Sequence, residues 1–168
     1  MDALLTELAP WVGRICAAIA LDRGPDAMQE TLVLVLRNLP TLREPAALRA
    51  WVRRIAVRQS LRMVPDGRVV LVPGLPDSAD RPAGLRGGGA GGPGGAGPGG
   101  VDTDLDTAID VRDTLARLQP AQRALLVLRD MEDLSEHETA ELLGVPEGTV
   151  KSGLHRARRR FRDRWEGS

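Results

Sequence analysis

The stretch LSEHETAELLGVPEGTVKSGLHRARRRF, Leu134 to Phe161, decides the reading of this chain. It spells two short helices separated by a tight turn. Ser135 stands where an N-cap belongs and Glu138 at the third helical position, the reciprocal pair of a capping box. Ala140, Leu142 and Leu143 are apolar at helical spacing, and Gly144 follows as a left-handed stop that glycine tolerates at little cost. Pro146 restarts the chain near the first turn of the next helix, where a missing N–H costs nothing. On that helix Val150, Leu154, Ala157 and Phe161 recur at intervals of four, three and four, which predicts one buried stripe. The other face carries Lys151, Ser152, His155, Arg158, Arg159 and Arg162. The pattern is that of a helix-turn-helix whose second helix can lie in a DNA major groove.

Helix pairs with a glycine turn also occur in plain bundles, and a charged outer face is usually only solvated. The local charge weighs against that reading. From Glu147 to Ser168, Lys151 and six arginines stand against three acids, an excess of four. A basic excess on such a helix favours phosphate contact.

Upstream, PAQRALLVLRDME predicts a helix with Pro120 near its first turn and Leu125, Leu126 and Leu128 inside. Before it, LDTAIDVRDTLARL places Leu105, Ile109, Val111, Leu115 and Leu118 toward a core. The N-terminal third predicts three more helices. Leu4 to Leu21 carries Leu4, Leu5, Leu8, Trp11, Val12, Ile15 and Ile19 at helical spacing. A second helix starts at Asp26 as N-cap and runs to Leu39 before Pro40. Its Leu32 to Leu36 run is almost wholly apolar, so it is either deeply buried or docks a partner on a second face. Pro45 opens a third, ending before Pro65, with Leu48, Trp51, Val52 and Ile55 as its apolar stripe and Arg49, Arg53, Arg54, Arg58 and Arg62 around the rest. No strand pattern is convincing. The expected fold is all-α, with two small helical domains: residues 1–64, a three-helix unit, and 105–168, a four-helix unit.

Between them, residues 65–104 lose all periodicity. GLRGGGAGGPGGAGPGG, Gly84 to Gly100, is too poor in apolar side chains to repay ordering and reads as a flexible linker. The short apolar run Val69 to Val72 reads as a stray strand or a docking peptide.

Composition narrows the classes. The 168 residues have a formal net charge of zero, but charge is segregated. The first thirty residues hold two arginines against five acids, whereas Arg43 to Arg62 hold six against Glu44. Cys16 is the lone cysteine, so an intramolecular disulfide is excluded and it reads as a core residue. No continuous apolar run approaches the length of a membrane span, and the N-terminus is acidic rather than a basic leader, so a soluble cytoplasmic protein is expected. No metal-ligand spacing, phosphate-cradling glycine loop or serine nucleophile motif is found; His137 and His155 fall on different helices. The acids sit at helix starts, where capping and the helix dipole account for them. No catalysis, cofactor or metal is expected.

With these units in view, the sequence resembles the extracytoplasmic-function (ECF) group of bacterial RNA polymerase sigma factors, of the sigma-70 family, which keep regions 2 and 4. LQPAQRALLVLRDMEDLSEHETAELLGVPEGTVKSGLHRARRRF follows region 4 almost throughout, and GTVKSGLHRAR, Gly148 to Arg158, is its signature. DAMQETLVLVLRNL resembles the core-binding helix of region 2, and LRAWVRRIAVRQSLR the promoter-melting segment. The resemblance implies a transcription initiation factor without catalytic residues, acting through three surfaces. Asp26, Gln29, Glu30, Val33 and Arg37 would dock on the clamp of the largest subunit of core RNA polymerase. Trp51, Arg53, Arg54, Arg58 and Arg62 would hold and help open the −10 element. Thr149, Lys151, Ser152, His155, Arg156 and Arg159 would face the −35 element. An anti-sigma factor is the further expected partner, and the free chain is expected to be a monomer, its two units loosely coupled or in a contact that hides DNA surfaces.

Three positions depart from the family pattern. Arg58 stands where asparagine is usual and Arg62 where aspartate is common; Gly153 replaces a usual arginine. The glycine implies a helix weakened by roughly 1 kcal/mol against alanine and one DNA contact fewer. These departures keep open the reading of a degenerate sigma-like protein that no longer opens DNA; a stand-alone helix-turn-helix regulator is the other competing reading. The tether itself is long enough. Its 42 residues from Met63 to Asp104 span about 35 Å as a flexible coil and about 140 Å extended, against about 70 Å between sites two DNA turns apart.

Overall fold

Asp2–Ala20 forms helix α1, with Pro10 inside it on the exposed side, where the loss of one ladder hydrogen bond meets only solvent. The computed structural model describes residues 2–65 and 103–166. The glycine tract and the Val69 to Val72 run therefore lie outside the described residues. After a 3-10 turn at Leu21–Arg23, α2 spans Gly24–Asn38. Two further 3-10 turns, Leu39–Thr41 and Pro45–Ala47, lead into α3, Leu48–Arg62. The expected start of α2 shifts: Pro25 occupies its first turn, and Asp26 lies inside the helix rather than capping it. Pro25 tolerates that place because its nitrogen needs no acceptor, so the helix begins earlier than an Asp-based cap suggests.

The three helices close on one another through the periodic apolar residues. Val12, Ile15, Cys16 and Ile19 of α1, Ala27 and Val35 of α2, and Val52, Ala56 and Leu61 of α3 are all fully buried. Burial pushes the Cys16 thiol up from its ordinary pKa, as expected of a core cysteine. The apolar run on α2 is not buried throughout: Val35 is buried, but Val33 is 40% exposed on the outer face. The continuous helical run Ala3–Thr41 does contain an 18-residue window long and apolar enough to cross a membrane, against the sequence expectation. Its break at Leu21–Arg23 folds α2 back onto α1, and the apolar side chains fill the core between them.

The second unit comprises α4 (Thr103–Ala116), α5 (Pro120–Leu126), α6 (Glu136–Leu143) and α7 (Glu147–Trp165). The helix predicted through Glu132 departs from α-geometry at Val127–Met131, which winds as a π-turn. Among the described residues no strand occurs. The all-α expectation is met, and the two units also pack together. Their buried apolar residues form one continuous cluster, with α1 and α3 against α5.

Close approach fixes the α1–α2 corner. A Cβ added at Gly24 would lie 2.8 Å from the Cα of Ala17, a backbone atom that cannot swing away. Gly24→Ala is therefore expected to cost about 1–3 kcal/mol, as overpacking does; a urea midpoint equal to that of the parent chain would show that the corner is not close-packed.

Candidate nucleic-acid interface

The helix-turn-helix forms as its local chemistry dictates. The Glu138 backbone N–H donates to Ser135 Oγ at 3.1 Å, and the Ser135 N–H donates to Glu138 Oε2 at 2.8 Å. The Ser135 backbone N–H, and then its side chain, hold the Glu138 carboxyl below the usual carboxylate range. Gly144 ends α6 at φ 67°, the left-handed stop read from the sequence. Pro146 supplies the extended N-cap of α7.

Helix α7 then sorts its two faces. Val150, Leu154 and Ala157 are buried and Phe161 is half-buried, as their spacing predicted. Thr149, Lys151, Ser152, His155, Arg156 and Arg159 are all exposed, and they share the outward side of one helix. Arg158 is turned aside by the π-turn: its Nε donates to Asp130 Oδ2 at 3.3 Å and its Nη2 to Oδ1, which raises the guanidinium pKa. An apolar groove of about 1050 Å³ runs along this helix, lined by Leu115, Leu126, Met131, Leu154 and Phe161.

Gly153 requires a correction. Position 153 is buried rather than on the exposed polar face, and a Cβ there would sit 2.7 Å from Leu125 Cδ1. The glycine lets α7 lie close against α5, and no outward contact is lost through it.

On the first unit, Asp26, Gln29, Glu30, Val33 and Arg37 are all exposed and fall on one face of α2. The α3 set is divided. Arg62 is exposed, Arg54 and Arg58 are partly so, while Trp51 is buried at 8% exposure. Trp51 thus belongs to the apolar stripe and packs in this arrangement; its periodic position outweighs its place in a basic segment. Arg53 is engaged as well: its Nε donates to Glu132 Oε2 at 2.7 Å. Sequence reasoning missed Glu132, which also accepts Trp11 Nε1 at 2.9 Å. Nothing local signals that role, since the partners lie 121 and 79 residues away.

Among the described residues no cluster of three or more His, Cys, Asp or Glu side chains could hold a metal ion. With an exposed polar and basic face on the second helix of a helix-turn-helix, and a second basic helix on the other unit, the arrangement defines a two-unit helical protein of the nucleic-acid-binding class. Comparison with known proteins narrows it. Residues 108–161 match the family model "Sigma-70, region 4". The ECF RNA polymerase sigma-E factor of Salmonella typhimurium is 30% identical over 139 residues, which cover 80% of this chain and 69% of that protein. The ECF RNA polymerase sigma factor SigE of Mycolicibacterium smegmatis is 33% identical over 165 residues, covering 96% of this chain but 60% of the relative. The chain belongs to the ECF sigma factor family. It spans about 60% of the length of the first curated relatives it matches. In fold it is similar to the sigma factor RpoE of Bartonella quintana, co-crystallised with the anti-sigma factor NepR, with a TM-score of 0.63 over 98% of this chain and 96% of that one at 23% identity.

The turn carries one titratable clasp. His137 Nδ1 lies 2.6 Å from Glu147 Oε1, joining α6 to the start of α7, and Glu141 is 3.7 Å from the other ring nitrogen. The hydrogen bond to Glu147, then the charge of Glu141, raises the His137 pKa. Because the folded value lies above the unfolded one, the stabilisation is complete below about pH 6.5 and is lost as pH rises through the folded pKa. The urea midpoint of the chain is expected to fall slightly between about pH 6 and about pH 8, and His137→Gln to flatten that fall. An identical fall in the variant would assign it to another group.

Proposed function

We propose that this chain is a transcription initiation factor that binds core RNA polymerase and directs it to promoters through −35 and −10 recognition. The observation that carries this reading is the outward face of α7, where Thr149, Lys151, Ser152, His155, Arg156 and Arg159 stand together in solvent. Arginine and lysine there neutralise phosphates and set the register, while Ser152, His155 and the long side chains reach base edges in the major groove. The buried Gly153 removes one of the three grounds for a degenerate reading, since it does not subtract from this face.

In this reading residues 1–64 act as region 2, 65–104 as the tether and 105–168 as region 4. The α2 face of Asp26, Gln29, Glu30, Val33 and Arg37 meets the clamp of the largest polymerase subunit, with Val33 as the apolar centre of a polar patch. Arg54, Arg58 and Arg62 contact the −10 strand, and Trp51 supports their helix from the core. The chain works in the cytoplasm and does no bond chemistry of its own. An anti-sigma factor is its regulatory partner, a role supported by the fold shared with a sigma factor crystallised with one.

Run-off transcription with purified core RNA polymerase on a promoter library tests the reading. Transcripts that start downstream of a shared −35/−10 pair and depend on the chain are the expected result. Arg156→Ala is expected to lower their yield about tenfold or more, in line with loss of a base contact of about 1–3 kcal/mol. Core binding without transcripts would instead favour the degenerate sigma-like protein, and DNA binding without core binding the stand-alone regulator.

A further inference from the structure

The two units meet around one carboxylate. Trp11 Nε1 of α1 and Arg53 Nε of α3 converge on the two oxygens of Glu132, at 2.9 and 2.7 Å. The Glu132 side chain is 8% exposed and that of Arg53 19%, so the contact is largely desolvated. The guanidinium carbons of Arg49 and Arg53 lie 5.4 and 5.9 Å from the centre of the Trp11 ring. Within the first unit, neither arginine has a carboxylate partner among the described residues. One guanidinium and an indole N–H thus converge on a carboxylate that comes from the other unit, with Arg49 stacked over the same indole ring. Such a convergence suits an oxyanion with several acceptor oxygens.

Two backbone positions near contacts between the units are held in unusual form. Among the described residues only two other than glycine have positive φ: Asp133 at 51° and Leu21 at 52°. Asp133 follows Glu132 directly, just after the π-turn. Leu21 lies two residues beyond Ile19, whose carbonyl accepts Arg123 Nε of the second unit at 2.7 Å. Strain of this kind persists where surrounding contacts over-determine it, and it collects at elements that switch.

We propose that Trp11 and Arg53 form an anion site that Glu132 fills while the units are docked and that a DNA phosphate fills when they part. Glu132 is then an internal stand-in for the phosphodiester, and docking and DNA binding compete for the same donors. The proposal rests on the chain being a promoter-binding factor. It adds Trp11 to the DNA-facing residues and gives the first unit a phosphate site beside its basic helix.

The test uses the full chain and a fluorescein-labelled mixed-sequence DNA duplex, with no polymerase present, so any gain comes from DNA. Glu132→Gln keeps the shape and removes the charge. It is expected to tighten binding about tenfold by freeing a docked population, and to steepen the log–log salt dependence by about 0.9, one further phosphate. Adding Arg53→Ala to that variant is expected to return both quantities to the parent values. Glu132→Asp, too short to span both donors, is the second variant and is expected to shift binding in the same direction. Unchanged affinity and slope in both Glu132 variants would overturn the proposal, as would a gain that survives Arg53→Ala. Arg156→Ala separates the two levels. If the parent chain binds DNA, loses it on Arg156→Ala and gains nothing from the Glu132 variants, only the anion site fails. If no variant binds DNA at all, the anion site fails, and run-off transcription with core RNA polymerase decides the promoter-binding reading separately.

Discussion

A single buried guanidinium ties the architecture together. Arg123, 5% exposed, donates from Nε to the Ile19 carbonyl at 2.7 Å and from Nη1 to the Leu118 carbonyl at 2.6 Å. Ile19 lies at the end of α1, and Leu118 just past the end of α4, where carbonyls have no helical partner and the dipole is negative. One cation therefore satisfies helix ends in both units at once. Desolvation lowers its pKa, and carbonyls rather than a carboxylate offset that cost. The arrangement is favourable only where the two helix ends converge, so Arg123 sets how α5 meets α1. The positions of Glu132, Trp11 and Arg53 follow from that placement.

Much of this was legible from the chain because it is local. Ser135 and Glu138 are three residues apart, Gly144 needs no partner to adopt φ 67°, and the stripe of Val150, Leu154 and Ala157 is a matter of period. The exposed face of α7 is the complement of that stripe and was legible with it. The α2 face was legible through family resemblance, and its exposure follows from Ala27, Thr31 and Val35 turning inward. What escaped the sequence depends on neighbours far along the chain. Gly153 faces inward because α5 approaches so closely, which no property of α7 alone encodes. Glu132 looks like any acid in a polar loop until a π-turn aims it at another unit. Asp26 was misplaced as a cap because two competing start signals, Pro25 and Asp26, stand side by side.

The contact between units gives the two basic helices different standing. Helix α7 keeps its polar and basic face open while the units are docked, whereas α3 has Arg53 engaged and Trp51 buried. Under the proposed function an order of events would follow: the second unit would reach DNA first, and the first unit would exchange its internal carboxylate for DNA afterwards. A high local concentration of DNA, supplied by the first contact, would assist that exchange.

Lys151 has a consequence of another kind. It is the one lysine in a sequence whose other 22 permanent cations are arginines, and it stands exposed in the middle of the recognition face. Its ε-amine is the single side-chain amine of the chain and so a unique chemical handle. Acylation there removes a positive charge from the exposed face of α7 without touching any arginine. An amine-reactive probe placed on this residue would report occupancy of the groove from within the interface itself.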